Sequence, residues 1–192
     1  MSKPKNYNEV EVLEKAMYIL WEKGYHNVST RELATTMGIN QFSLYASFKN
    51  KENLFKKALE HYFNFIIKKG IAVELTREKL TVKNLVKFLN NFKNPNQDIY
   101  SNGCLICNTM VGQPLKNSDI DYLLTEYKLF LVDAFKKIIK TTKPKLTKIQ
   151  VNNKSNFLYG TLIGLIIERK NGLSNKDAKG YVQSMLDSIN SY

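Results

Sequence analysis

The residue pattern predicts an all-α chain of nine helices. Apolar residues recur three and four apart through most of the 192 residues, as a helix with one buried face requires. Cap-forming residues open the periodic segments and glycines close several of them. No stretch makes a convincing strand.

Helix 1 is expected from Val10 to Gly24, with Val10, Leu13, Met17 and Leu20 facing inward and Ala16 and Trp21 alongside. Helix 2 opens at Ser29, and Glu32 three residues on completes a reciprocal capping box. Leu33, Ala34 and Met37 form its inner face, and Gly38 is suited to the positive φ that ends a helix. After the turn Gly38-Ile39-Asn40, Asn40 caps helix 3. Leu44 and Phe48 lie together on its inner side, while Phe42, Ser43 and Ala46 project outward.

Two short helices about a three-residue turn have the layout of a helix-turn-helix, whose second helix enters the major groove with its first residues nearest the base edges. Gln41, Phe42 and Ser43 are therefore the candidate base readers. Gln41 can pair with adenine in bidentate fashion. Phe42 can meet a thymine methyl or, alternatively, pack under the helix. Tyr45 can lay its ring on the protein and reach a phosphate with its hydroxyl. Thr30, Lys49 and Lys51 are the other phosphate candidates, and Asn50 caps a fourth helix whose free N–H groups beside Lys51 suit an anion.

Helix 4 is expected from Lys51 toward Thr76, with Leu54, Phe55, Ala58, Tyr62, Phe65 and Ile66 on its apolar face. Helix 5 carries Val82, Leu85, Val86, Leu89 and Phe92 and ends at Asn94-Pro95-Asn96. Helix 6 is short, from Cys104 to Val111, and stops before Pro114. Helix 7 runs from Ser118 or Asp119 to about Lys140, and helix 8 from Thr147 to about Lys170, closed by Asn171-Gly172. Ser174-Asn175 caps helix 9, with Ala178, Val182, Met185 and Ile189 inward.

Composition sets bounds. The net charge of +12 makes a polyanion partner plausible. Residues 1–57 hold nine Lys/Arg against six Asp/Glu and the other 135 residues twenty against eleven, so the excess is spread along the chain and the motif has to carry a DNA assignment. Lys3 and Lys5 stand in a basic arm able to touch DNA backbone, or in a frayed terminus. The start, MSKPKNYNEVEV, does not resemble a signal peptide. The longest apolar run, Phe157–Ile167, contains Gly160, Thr161 and Gly164 and is too short to span a bilayer. A soluble, cytoplasmic protein without membrane contact is expected, and two cysteines do not suggest a disulfide framework. No phosphate-binding glycine loop, metal-ligand spacing or Ser/His/Asp arrangement points to an enzyme, a metal or a cofactor; His26 is an ordinary loop residue.

Thr30, Leu33 (one residue early), Ala34, Gly38, Ile39, Leu44, Tyr45, Phe48, Lys51 and Leu54 together resemble the signature of the TetR-type (TetR/AcrR) transcriptional regulators. Phe42 stands where that family often has a small residue or proline, and Ala46-Ser47 where it often has bulky rings; both departures lie on the groove-facing side. The resemblance implies a nine-helix, two-domain fold. Residues 1–55 would form the helix-turn-helix DNA-binding domain, with helix 4 linking from about residue 51, and residues 56–192 an effector-binding and dimerisation domain. It implies a ligand-responsive repressor that binds a palindromic operator in double-stranded DNA as a homodimer. It also implies that the last two helices pair with their copies in a second subunit, here through Phe157, Thr161, Gly164, Leu165 and Glu168 of helix 8 and Val182 and Met185 of helix 9. Those residues could instead belong to an intramolecular core.

Phe63, Phe88, Phe92, Tyr100, Met110, Tyr122, Tyr127, Phe130 and Tyr159 are candidates to line a pocket for a small apolar or aromatic effector, with an ordinary packed core as the other reading. Without such a pocket the chain would be a ligand-independent DNA-binding or structural protein on the same fold. Cys104 and Cys107 form a C-x-x-C at a helix start, where the helix dipole lowers a thiol pKa. This gives an alternative regulator that senses oxidants or electrophiles, against the common case of buried free cysteine. The lysines between Lys136 and Lys148 read as a solvated helix end.

Overall fold

The computed structural model describes residues 7–93, 102–112 and 115–190. Among these residues there are nine α-helices and no strand: α1 Glu9–Lys23, α2 Thr30–Met37, α3 Gln41–Phe48, α4 Lys51–His61, α5 Val82–Asn90, α6 Leu105–Val111, α7 Ser118–Thr142, α8 Lys148–Lys170 and α9 Asn175–Asn190. The Lys3/Lys5 arm, the Asn94-Pro95-Asn96 stop, Tyr100 and Pro114 lie outside the described residues. No described helix is long and apolar enough to cross a membrane.

The chain forms two compact units, the first ending at Asn64 and the second starting at Phe65. The division falls later than the expected 55/56 because α4 packs on α1 and stays with the N-terminal unit. In that unit α1 also packs on α2, and α3 on both α2 and α4. Ala16, Met17, Leu20, Leu33, Met37, Leu44, Phe48, Leu54, Phe55 and Ala58 are all buried there. The inner stripe of α1 starts at Val12 rather than at the exposed Val10, and Ile19 joins it.

Helix 4 differs from expectation in its second half. From Tyr62 to Ile71 the backbone is a π-helix, followed by a 3₁₀ turn at Val73–Thr76. The widened i→i+5 pattern closes with the Ala72 N–H donating to the Ile67 carbonyl at 2.8 Å. Burial follows the same interval, with Tyr62, Ile67 and Ala72 buried five residues apart. Phe65, expected inside from α-helical spacing, is exposed.

In the C-terminal unit α7 and α8 pack along each other, α9 and α6 pack on α8, and α5 packs on α7 and α9. Helix starts are strongly capped: Asn117 Oδ1 accepts from the Asp119 and Ile120 N–H groups. Thr147 and Gln150 form a reciprocal box at 2.9 and 3.3 Å. Tyr127, Leu131, Phe135, Ile138, Leu158, Leu162, Leu165, Val182 and Met185 are buried in this single chain. Leu165, Val182 and Met185, expected on a dimer face, are thus buried within the single chain.

Phe135 is the largest fully buried side chain of the α7–α8 packing. Phe135→Ala should cost about 3–5 kcal/mol, read as a lower urea midpoint with secondary structure kept in the absence of denaturant.

Candidate functional site

Helix α3 is held by a tight turn at each end. At its start, Gly38 adopts φ 73° and ψ 28°, the left-handed region that costs a side-chain-bearing residue energy. The Ile39 N–H then donates back to the Ala34 carbonyl at 3.0 Å, a helix-closing bond. Asn40 Oδ1 accepts from the Ser43 N–H at 2.7 Å and sets the first turn of α3. Ser29 Oγ accepts from the Glu32 N–H at 3.1 Å, but the expected capping box is only half made. The Glu32 carboxylate turns to Lys23 Nζ at 2.6 Å instead, tying α2 to α1. The hydrogen bond from Lys23 holds the carboxyl below its ordinary pKa.

At its end α3 gives way to α4 through Lys49 and Asn50 alone. Lys49 has φ 65° and ψ −54°, and the Asn50 N–H reaches the Phe48 carbonyl at 2.8 Å. These angles and that i→i+2 bond define a γ-turn of the rare, strained kind. Asn50 Oδ1 then caps α4 through the Asn53 N–H at 2.7 Å.

Between the turns, Leu44 and Phe48 are fully buried while Gln41, Phe42, Tyr45, Ala46 and Lys49 are exposed. At 100° per residue these five positions make one outer face. Phe42 is 82% exposed, so it does not pack under the helix. Ser43 and Thr30 are half-buried. Lys51 lays its ammonium 4.3 Å from the centre of the Tyr25 ring, and burial lowers its pKa. The arrangement offers amide, aromatic and cationic groups on a convex ridge, with the N–H end of α4 beside it.

One residue of the site is not apparent from the motif. The Tyr7 hydroxyl lies 2.6 Å from Ser47 Oγ and donates to the Ser43 carbonyl at 3.3 Å, so it fastens the start of the chain to the back of α3. An aromatic hydroxyl just before helix 1 was the only signal in the sequence.

The C-terminal candidates divide. Phe88 and Phe92 meet edge to face with centroids 5.4 Å apart, and Tyr127 is buried. The Tyr159 hydroxyl donates to Met110 Sδ at 3.7 Å, and the Lys68 ammonium lies 5.9 Å from the Phe130 ring centre. Tyr122 is 65% exposed and points away from any interior lining, because its position on α7 faces solvent. Phe63 is buried and belongs to the N-terminal unit. Phe157 is 56% exposed, with Thr161 and Gly164 half-buried and Glu168 exposed on the same helix. Cys104 and Cys107 are free and buried. The hydrogen bond from Cys104 and then burial push the Cys107 thiol well above its ordinary pKa. The expected activation by the helix start is therefore reversed at Cys107.

The family model described as "Bacterial regulatory proteins, tetR family" matches residues 12–58, which contain α2, α3 and the turns that bound α3. The chain is 35% identical over 77 residues, 40% of its length, to the HTH-type transcriptional repressor ComR of Escherichia coli K12. It is 30% identical over 57 residues, 30% of its length, to the icaADBC operon negative regulator IcaR of Staphylococcus epidermidis. These matches span 37% and 31% of the two relatives, about a third of each. Across nearly the whole chain the fold is that of the TetR-family regulator CifR, solved as a cysteine mutant complexed with 26-base-pair double-strand operator DNA. That likeness has a TM-score of 0.80 at 20% identity and covers 97% of this chain and 98% of that one.

Tyr7→Phe removes the hydroxyl that bridges to Ser47 and should destabilise the N-terminal unit by about 1 kcal/mol, visible as faster amide exchange in α3 with the C-terminal unit unchanged.

Proposed function

Because this chain belongs to the TetR family of bacterial regulatory proteins, we propose that it is a ligand-responsive transcriptional repressor that binds a palindromic operator as a homodimer. The observation that carries the reading is the outer face of α3: a glutamine, a highly exposed phenylalanine and a tyrosine on a helix whose other side is locked into the core. Gln41, Phe42 and Ser43 read bases, while Thr30, Tyr45, Lys49 and Lys51 hold phosphates and set the register. Two copies related by a twofold axis read half-sites one or two helical turns apart. Phe157, Thr161, Gly164 and Glu168 remain available on α8 for pairing, and the small residues among them permit close helix approach. The protein acts in the cytoplasm, as a DNA binder rather than an enzyme.

An effector lodged among Phe88, Phe92, Met110, Tyr127, Phe130 and Tyr159 favours a form whose two reading helices no longer fit the half-site spacing. It lowers operator affinity only by as much as it prefers that form. A true effector also raises the melting temperature in proportion to its binding.

Selection of bound duplexes from a random pool tests the reading and should enrich an inverted repeat. On the enriched site Gln41→Ala should relax preference at one position per half-site by about 1–3 kcal/mol. Lys51→Ala should weaken all sequences alike and reduce the salt slope by about 1. Lys49→Gly separates binding from folding: it should raise stability by about 1 kcal/mol through relief of the γ-turn while weakening operator binding. A pool with no enriched repeat contradicts the proposal.

A further inference from the structure

Helix α6 begins with two thiols that the operator reading leaves without a role, and it also carries Met110, placed above among the effector-lining residues. Cys104 stands at the N-cap and Cys107 and Met110 follow at three-residue intervals, which brings them to one side of a short helix. The two thiols are buried, free and hydrogen-bonded to each other. Aromatic hydroxyls surround them: Tyr127 of α7 has its oxygen 3.9 Å from Cys107 Sγ, and Tyr159 of α8 donates to Met110 Sδ at 3.7 Å. The charges of Cys107 and Cys104 also act on Tyr159, whose pKa is pushed up to about 12 chiefly by burial.

We propose that Cys104, Cys107 and Met110 form a binding site for a monovalent thiophilic metal ion, with Cu(I) the physiological class and Ag(I) its redox-inert probe. The donor set argues for this choice. Thiolate and thioether ligands select Cu(I), whereas imidazole and carboxylate suit zinc and the harder divalent ions. Among the described residues no group of three His, Cys, Asp or Glu side chains could hold a metal, so a four-coordinate zinc site is not available. Two thiolates and a weaker thioether match a cation content with two or three soft donors.

Binding involves no electron transfer. Each S–H bond releases its proton to solvent as an S–metal bond forms, and the metal stays in the +1 state. The bis-thiolate complex carries one negative charge. Two cations lie on residues next to the group: Lys128 of α7, 5.8 Å from the Tyr159 ring centre, and Lys170 of α8, 3.2 Å from Asn108 of α6.

This inference goes beyond the operator reading and stands or falls apart from it. The test titrates the reduced full-length chain with Cu(I) under argon against a colorimetric Cu(I) chelator, with Ag(I) and Zn(II) in parallel. One Cu(I) or Ag(I) should be retained per chain and Zn(II) should not compete. Cys104→Ala and Cys107→Ala should abolish retention, and Met110→Leu should weaken it by about tenfold. X-ray absorption at the copper edge of the wild-type complex needs no variant, so it is untouched by folding losses at these buried positions; it should show sulfur neighbours only. Nitrogen or oxygen bound to the metal, unchanged retention in the Cys107→Ala chain or preferential Zn(II) uptake would each overturn the proposal.

Discussion

Burial of Leu44 and Phe48 is the constraint on which the exposed outer face of α3 depends. Both side chains are fully enclosed, each contributing about 1.5–3 kcal/mol of hydrophobic stabilisation. With that side of α3 committed to the core, the opposite side cannot rotate inward. Gln41, Phe42 and Tyr45 are therefore exposed by geometry rather than by their own chemistry. A phenylalanine at 82% exposure is costly in water, and it persists because the two inward residues outweigh it.

Orientation needs more than one buried side. The left-handed Gly38 and the cap from Asn40 set the angle at which α3 leaves α2, while the γ-turn at Lys49 sets how abruptly it joins α4. Strain at Lys49 falls on a cationic side chain at the rim of the exposed α3 ridge. Backbone strain tends to gather where a side chain must be aimed rather than merely accommodated. Tyr7 adds a third restraint from behind, through Ser47 and the Ser43 carbonyl. The ridge is thus held rigid at both ends and along its back before any ligand arrives.

The helix-turn-helix was legible in the sequence because its determinants are local. Glycine at a left-handed position and asparagine at the caps of α3 and α4 act within four residues of themselves, and both caps sit where the spacing put them. What was not legible depended on partners distant in sequence. Glu32 satisfies the local capping pattern on paper, yet Lys23 on another helix captures its carboxylate. Tyr62–Ile71 reads as α-helix at 3.6 residues per turn, and only the burial of residues five apart reveals the wider winding. Leu165, Val182 and Met185 carry the same apolar signature whether they face their own core or a second subunit. Helical periodicity marks a buried side without saying what buries it. Tyr122 shows the converse, an aromatic residue with no helical partner inside. The thiol pair was legible as a motif, but its environment inverted the expected chemistry at Cys107, because burial and a neighbouring thiol outweigh the dipole of a two-turn helix.

The claim that α3 presents its outer face to duplex DNA can be tested without knowing the operator's regulated genes. A photoreactive phenylalanine analogue placed at position 42 should crosslink to bases in the major groove of a selected duplex on irradiation, while the same analogue at position 122, also exposed, should not. Crosslinking of equal yield at both positions, or at position 122 alone, would contradict the account.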